Sequence, residues 1–169
     1  MSTRSRRTSI VILAAGLVAL AVVIAGCGGS GGGGGAYGAA RATTPSSGGK
    51  ASVKLASTKL GSVLVDAKGR TLYLFEADKG PMSACSGACA SVWPPLTTTG
   101  KPTASHGVTA SKLGTTKRSD GASEVTYNGH PLYTYAGDSA PGQTSGQGLD
   151  DYGAEWYVLS DAGSKIDNG

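Results

Sequence analysis

The sequence predicts an all-β domain built from two tandem β-hairpin repeats. After Lys50, no ten-residue window keeps the apolar stripe of a helix, whereas short alternating runs bounded by Gly, Asn, Asp and Pro recur. The ten letters "GRTLYLFEAD" at 69–78 return as "GHPLYTYAGD" at 129–138. Because a single hairpin is only marginally stable in water, we expect the two repeats to pack together as one pseudo-twofold domain.

The first 26 residues predict a secretion signal. Arg4, Arg6 and Arg7 precede an uncharged stretch over 8–26. Its apolar run, residues 10–25, is shorter than the roughly 20 residues that span a bilayer, which argues against a permanent transmembrane helix. The segment therefore predicts export from the cytoplasm.

A cysteine follows this segment directly. Ile24-Ala25-Gly26-Cys27 resembles the bacterial lipobox, in which the cysteine is diacylated and becomes the new N-terminus. The resemblance implies that Cys27 carries lipid, that 143 of the 169 residues remain, and that the protein is anchored to the cell membrane on its extracytoplasmic side. The alternative is an ordinary signal peptide cleaved nearby, which would leave Cys27 as a free thiol.

Residues 27–50 predict the lipidated cysteine followed by a flexible tether. From Gly28 to Lys50 the chain is rich in Gly and Ser, and a coil of these 23 residues has a root-mean-square span of about 25 Å. Without the signal, the chain has 12 basic and 11 acidic residues. This near balance gives no electrostatic basis for binding nucleic acid or an acidic substrate.

Residues 51–169 are predicted to form the duplicated domain, with repeat 1 over about 60–105 and repeat 2 over about 119–163. In each repeat a hairpin is followed by a loop and then by a strand that carries a tryptophan, Trp93 or Trp156.

Each repeat is predicted to contain one hairpin. In the first, strands at 63–65 and 71–75 flank a turn at 66–69. The second has Asn-Gly at 128–129, the preferred pair of a type I′ turn. Pro131 cannot donate a ladder hydrogen bond, so its strand should lie at a sheet edge or begin at the proline.

Two cysteines remain once the first is assigned to lipid. In an exported protein this even remainder predicts a disulfide, here one that closes a three-residue loop between Cys85 and Cys89. The same pair could instead hold Cu(I), with Met82, His106 or His130 completing the site, or take part in thiol–disulfide exchange.

The pattern Tyr-x-(Phe/Trp/Tyr)-x-x-Asp occurs twice, as "YLFEAD" from Tyr73 and "YTYAGD" from Tyr133. With "CSGACASVWPPL" from Cys85 and "GQGLDDYGAEWYVLS" from Gly146, it resembles a bacterial lipoprotein family described as a secreted repeat of unknown function. The similarity spans about 60–163. It implies a fold unit and an extracytoplasmic location, but no reaction.

The role of the motif residues has two interpretations. In one, the rings pack in the core or between repeats, and each aspartate bonds backbone N–H groups of the turn that follows. In the other, the rings lie along a groove for an aromatic, sugar-like or cell-envelope ligand, with Trp93 and Trp156 as ligand-facing aromatics. The motif residues are Tyr73, Phe75 and Asp78 in the first copy and Tyr133, Tyr135 and Asp138 in the second.

These observations predict a lipid-anchored, non-catalytic envelope protein that binds an unidentified small ligand or partner. Neither H-E-x-x-H nor C-x-x-C-H occurs, and no catalytic residue, cofactor or resident metal is predicted. We expect a monomer that contacts the membrane through its lipid and does not bind nucleic acid. The alternative function is copper handling or thiol–disulfide redox chemistry at Cys85 and Cys89.

Overall fold

The computed structural model describes residues 49–167. The predicted signal peptide, Cys27 and most of the predicted tether lie outside the described residues. Gly49 and Lys50, which the sequence assigns to the tether, contact the domain, and the Gly49 carbonyl accepts a hydrogen bond from the Thr99 N–H at 3.3 Å. The described part is mainly β, which confirms the predicted fold class.

An antiparallel hairpin begins the domain. Strand β2 (Gly61–Asp66) pairs along its whole length with residues 53–58 of strand β1 (Ser52–Thr58). The short strand β4 (Thr103–Ala104) adds to the other edge of β1 in parallel. The sequence prediction missed β1, because the small residues of "SVKLAST" give a weak alternating pattern.

The predicted turn at 66–69 is present. The Gly69 N–H donates to the Asp66 carbonyl at 3.0 Å, and one isolated bridge joins Val65 to Thr71. The chain then turns away from β2, so the first predicted hairpin is only partly correct.

The next strand belongs to a different sheet. Strand β3 (Tyr73–Phe75) pairs with β9 (Ala154–Val158), and β8 (Leu149–Asp151) covers the other edge of β9. This sheet therefore combines the motif strand of repeat 1 with the tryptophan strand of repeat 2.

A third sheet contains strands β5 (Leu113–Lys117), β6 (Ser123–Tyr127) and β7 (His130–Pro131), in that order. Asn128 and Gly129 both have positive φ, at 50° and 84°, as the predicted type I′ turn requires. Pro131 lies in the last strand of the sheet order, which confirms its predicted edge position.

A short helix, α1 (Ala88–Val92), precedes Trp93, and a 3-10 turn (Ala110–Lys112) precedes β5. The prediction that Trp93 lies in a strand is therefore wrong, because Trp93 caps the C-terminal end of α1. Five residues are too few to show a helical period in the sequence. Between residues 49 and 167, none of the helices has the length and apolar character needed to cross a membrane.

The two repeats exchange their tryptophan segments. Leu74 of repeat 1 pairs with Tyr157 of repeat 2. In the reverse direction, the Thr134 N–H donates to the Pro94 carbonyl at 2.9 Å. The motif strand of repeat 1 is therefore bonded to the strand that contains Trp156. The motif segment of repeat 2 is bonded to the residues that follow Trp93.

The hydrophobic core is correspondingly shared. One buried cluster joins Leu64 and Leu72 to Val125 and Leu132, and a second joins Tyr73, Phe75 and Trp93 to Tyr133 and Trp156. Both clusters contain residues of both repeats, so neither repeat has a core of its own. The pseudo-twofold relation between the repeats stays a prediction.

Candidate functional site

The centre of the molecule is a stack of four aromatic rings. Trp93 and Trp156 stack face to face with ring centroids 4.0 Å apart and planes 4° apart. Phe75 stacks on Trp156 at 4.0 Å, and Tyr135 lies against Trp93 at 4.4 Å. The second aromatic position of each motif therefore packs on the tryptophan of the other repeat.

Two tyrosines close the edges of this stack. Tyr73 meets Trp93 edge to face at 5.3 Å, and Tyr133 meets Trp156 in the same way at 5.1 Å. All four of these side chains are fully buried. The expectation that Trp93 and Trp156 face a ligand is therefore wrong, because the apolar area of both rings is used to join the repeats.

The motif aspartates bind the tyrosines of the opposite repeat. The Tyr73 hydroxyl donates to Asp138 Oδ2 at 2.7 Å, and the Tyr133 hydroxyl donates to Asp78 Oδ2 at 2.9 Å. The main chains of the same tyrosines also bond each other, with Tyr73 N to Tyr133 O at 2.9 Å and Tyr133 N to Tyr73 O at 3.0 Å. The tyrosine and aspartate of each motif are thus placed so that each contacts the other copy of the motif.

The second oxygen of each aspartate holds a loop. Asp78 Oδ1 accepts the Ala84 N–H at 2.7 Å, and Asp138 Oδ1 accepts the Ser145 N–H at 2.9 Å. These contacts agree with the interpretation in which each aspartate bonds backbone N–H groups after its strand and the rings pack in the core, fully for Tyr73, Phe75 and Tyr133 and partly for Tyr135.

Burial changes the acidity of these groups. It raises the pKa of both Tyr73 and Tyr133 well above the ordinary value for a phenol, so both stay protonated even in alkaline solution. Burial also raises the pKa of Asp78 to about 6, although the Ala84 N–H and the Tyr133 hydroxyl favour its charged form.

A buried ion pair lies beside Tyr133. Arg118 Nη1 is 2.7 Å from Glu124 Oε2, and Arg118 Nη2 donates to the Cys85 carbonyl at 2.6 Å. Ser83 Oγ accepts from Arg118 Nη1 at 2.7 Å and also bonds the Tyr133 hydroxyl. Burial raises the pKa of Glu124 to about 7 against the opposing effect of Arg118. Sequence reasoning missed this pair. Glu124 aligns with Leu64 of repeat 1, so the repeat pattern gives no sign of a charged residue at this buried position.

The predicted disulfide is confirmed. Cys85 and Cys89 are bonded, with Cα atoms 5.3 Å apart, and both are almost fully buried. The bond leaves no thiolate for Cu(I), and burial limits access for thiol exchange. Met82 and His106 are exposed, while His130 lies in β7, and within residues 49–167 no three His, Cys, Asp or Glu side chains gather as a metal site would require.

A groove of about 860 Å³ lies on the surface between β5 and the segment that follows Pro94. Its size is within the range of known ligand sites. Hydroxyl groups, small apolar side chains and three charged groups line it. The principal lining residues are Pro95, Thr97, Lys101, Leu113, Thr115 and Lys117.

Strand β5, which lines this groove, has an open edge. Val125 of β6 uses both its N–H and its C=O on the side away from β5, bonding Leu96 O and Leu132 N. Val125 and its partner Thr115 therefore form a non-hydrogen-bonded pair, in which the main-chain groups of Thr115 also point away from β6. Within the described residues, β5 pairs with β6 alone.

Comparison with protein families gives one match. The model of the family described as "secreted repeat of unknown function" matches residues 54–97 and 114–160, together more than half of the chain. Each match contains one hairpin, one copy of the motif and one tryptophan segment. No curated protein and no solved structure gave a significant match. The chain belongs to the family of secreted repeats of unknown function, as its motif words predicted.

Proposed function

We propose that this protein is a lipid-anchored, non-catalytic module of the cell envelope that binds an extended polypeptide segment in the groove beside β5. Membership of a family of secreted repeats is consistent with a location outside the cytoplasm. The lipobox at residues 24–27 supports anchoring through Cys27.

The observation that carries the proposal is the open edge of β5. The outward N–H and C=O of Thr115 form part of a row of unpaired backbone groups, which an incoming strand can complete. Leu113 and Lys117 lie two residues to either side of Thr115, so their main-chain groups point the same way, although the Leu113 N–H is already bonded to the Ala110 carbonyl. An extended peptide would thus gain several main-chain hydrogen bonds along the edge of β5.

The groove also offers contacts for the side chains of such a peptide. Pro95 and Pro102 supply apolar surface, while Thr97 and Thr99 supply hydroxyl groups that can donate or accept. By contrast, Tyr73, Phe75 and Tyr133 of the motif are buried in the interior, and Tyr135 is half-buried against Trp93. The groove is therefore a better binding surface than the motif itself.

A proline at the outward-facing position tests the proposal. Thr115→Pro removes an N–H that the β5–β6 ladder does not use, so it should leave the fold intact and remove a hydrogen bond from the incoming strand. Thr115→Val keeps the N–H and removes only the hydroxyl, which makes it the matched control. Thermal unfolding of both variants should stay close to that of the wild type.

Binding is measured with peptides selected from a random twelve-residue display library on the mature chain. By calorimetry, we expect the selected peptides to bind Thr115→Pro about tenfold more weakly than wild type and Thr115→Val nearly as well as wild type. Equal affinity for Thr115→Pro, or a library that yields no binding peptide, would overturn strand addition.

A further inference from the structure

Positive charge is concentrated in the first part of the domain. Residues 49–117 contain nine Lys or Arg and three Asp or Glu, whereas residues 118–167 contain two and eight. The described domain therefore has no net charge as a whole, but its first part is strongly positive and its second part strongly negative.

The acidic side chains of residues 49–117 are all engaged. Asp66 is paired with Arg70 at 2.7 Å, Glu76 is paired with Lys165 at 2.6 Å, and Asp78 accepts from Tyr133. The outward charge of this part of the domain is consequently carried by its exposed lysines.

Several of these cations line two neighbouring cavities that share the segment around Pro95 and Thr97. A second cavity, of about 470 Å³, is lined by Lys50, Lys68 and Arg70. Pro95 and Thr97 line both this cavity and the groove beside β5, where Lys101 and Lys117 are found. We call the surface formed by Lys50, Lys68, Arg70, Lys101 and Lys117 the basic face.

Three carboxylates line the same two cavities, and each of them already has a partner. Asp66 bonds Arg70, and Asp138 accepts from Tyr73 and from the Ser145 N–H. Asp120, in the groove, lies 3.4 Å from the buried Arg118 guanidinium. The lysines of the basic face therefore keep most of their attraction for an external anion.

The tether joins the domain at the basic face. Gly49 and Lys50 line the 470 Å³ cavity, and Cys27 is 22 positions earlier in the sequence. A segment of this length has a root-mean-square span of about 25 Å if it is the Gly-rich coil that its composition predicts. Anchoring at Cys27 would then hold this face within a few Debye lengths of the bilayer.

We propose that the basic face docks on the anionic phospholipid headgroups of the membrane that carries the anchor. Lysines near an anionic surface each add to the attraction, so the contact orients the domain as well as retaining it. The proposal rests on the lipid anchor of the proposed function for its geometry, but the charge pattern is a property of the folded domain alone.

Vesicle binding tests the docking without the lipid. The mature chain carrying Cys27→Ser is mixed with vesicles of phosphatidylcholine alone, or with 40% phosphatidylglycerol, at low and high NaCl. We expect binding to the anionic vesicles at least tenfold above binding to the neutral ones, and its loss at high salt.

Two variants with the same change in charge locate the contact. Lys50→Gln/Lys68→Gln removes two cations of the basic face, and Lys59→Gln/Lys79→Gln removes two exposed lysines that line neither cavity. We expect the first variant to lose about tenfold in vesicle binding and the second less than twofold.

Equal loss in both variants, or equal binding to neutral and anionic vesicles, would overturn the docking. Binding to soluble poly(glycerol phosphate) with none to vesicles would also overturn it, because it would assign the face to a wall polymer. Failure of the anchor is a separate result: mass spectrometry of the exported wild-type chain would then find Cys27 without lipid while the vesicle result stands.

Discussion

At the scale of single residues, the motif is a set of contacts between repeats. Its tyrosine hydroxyl bonds the aspartate of the other copy, and its second ring stacks on the tryptophan of the other copy. Such a motif can recur in the sequence without any catalytic reason, since each copy is needed to bury and satisfy its counterpart.

A double-mutant cycle tests this pairing. We expect Tyr73→Phe and Asp138→Ala to be coupled by about 1–2 kcal/mol in the free energy of unfolding, because the two side chains share a buried hydrogen bond. The control cycle combines Tyr73→Phe with Asp78→Ala, which lies in the same motif but bonds Tyr133, and its coupling should be close to zero. Coupling to Asp78 in place of Asp138 would contradict the exchanged arrangement.

The buried carboxyls predict an unusual dependence of stability on pH. The folded-state pKa of Glu124 is raised to about 7 and that of Asp78 to about 6, both above their values in an unfolded chain. The folded state therefore holds these protons more tightly, and the resulting stability is present at low pH and lost as pH rises through 6 and 7.

We expect the free energy of unfolding, measured with urea, to fall by about 3 kcal/mol from pH 5 to pH 8, most of it from Glu124. Glu124→Gln removes the larger contribution, so its stability should change less over the same range. A wild-type stability that increases from pH 5 to pH 8 would show that Glu124 and Asp78 are ionised more easily in the folded state than burial allows.

At the scale of elements, the sequence predicts local structure better than pairing. The Asn-Gly turn and the edge position of Pro131 follow from backbone preferences of those residues, and both are found. The partner of β3 could not be found in this way, because β9 lies about eighty residues later and no local preference selects it.

Other elements were missed for reasons that are equally local. The helix α1 is shorter than two turns and shows no period, and β1 is built from small residues with a weak pattern. The buried Arg118–Glu124 pair has no sequence signal, since charged residues usually indicate the surface. The disulfide, in contrast, followed from the number of cysteines and the expected export.

At the scale of the whole molecule, the exchange of tryptophan segments makes one folded body from two repeats. A repeat alone would expose Phe75 or Tyr135 where the tryptophan of the other repeat belongs, and would leave a motif aspartate without its tyrosine. The surface features are then free to differ between repeats: within residues 49–167, the edge of β5 is open, whereas β4 covers the corresponding edge of β1.

The most direct test divides the chain between the repeats. Residues 49–106 and 107–167 are produced separately and mixed, and unfolding is followed by tryptophan fluorescence. Because each fragment carries one tryptophan and lacks half of the shared core, we expect neither to unfold cooperatively alone and an equimolar mixture to recover a cooperative transition. A single fragment that is monomeric and unfolds cooperatively by itself would contradict the account.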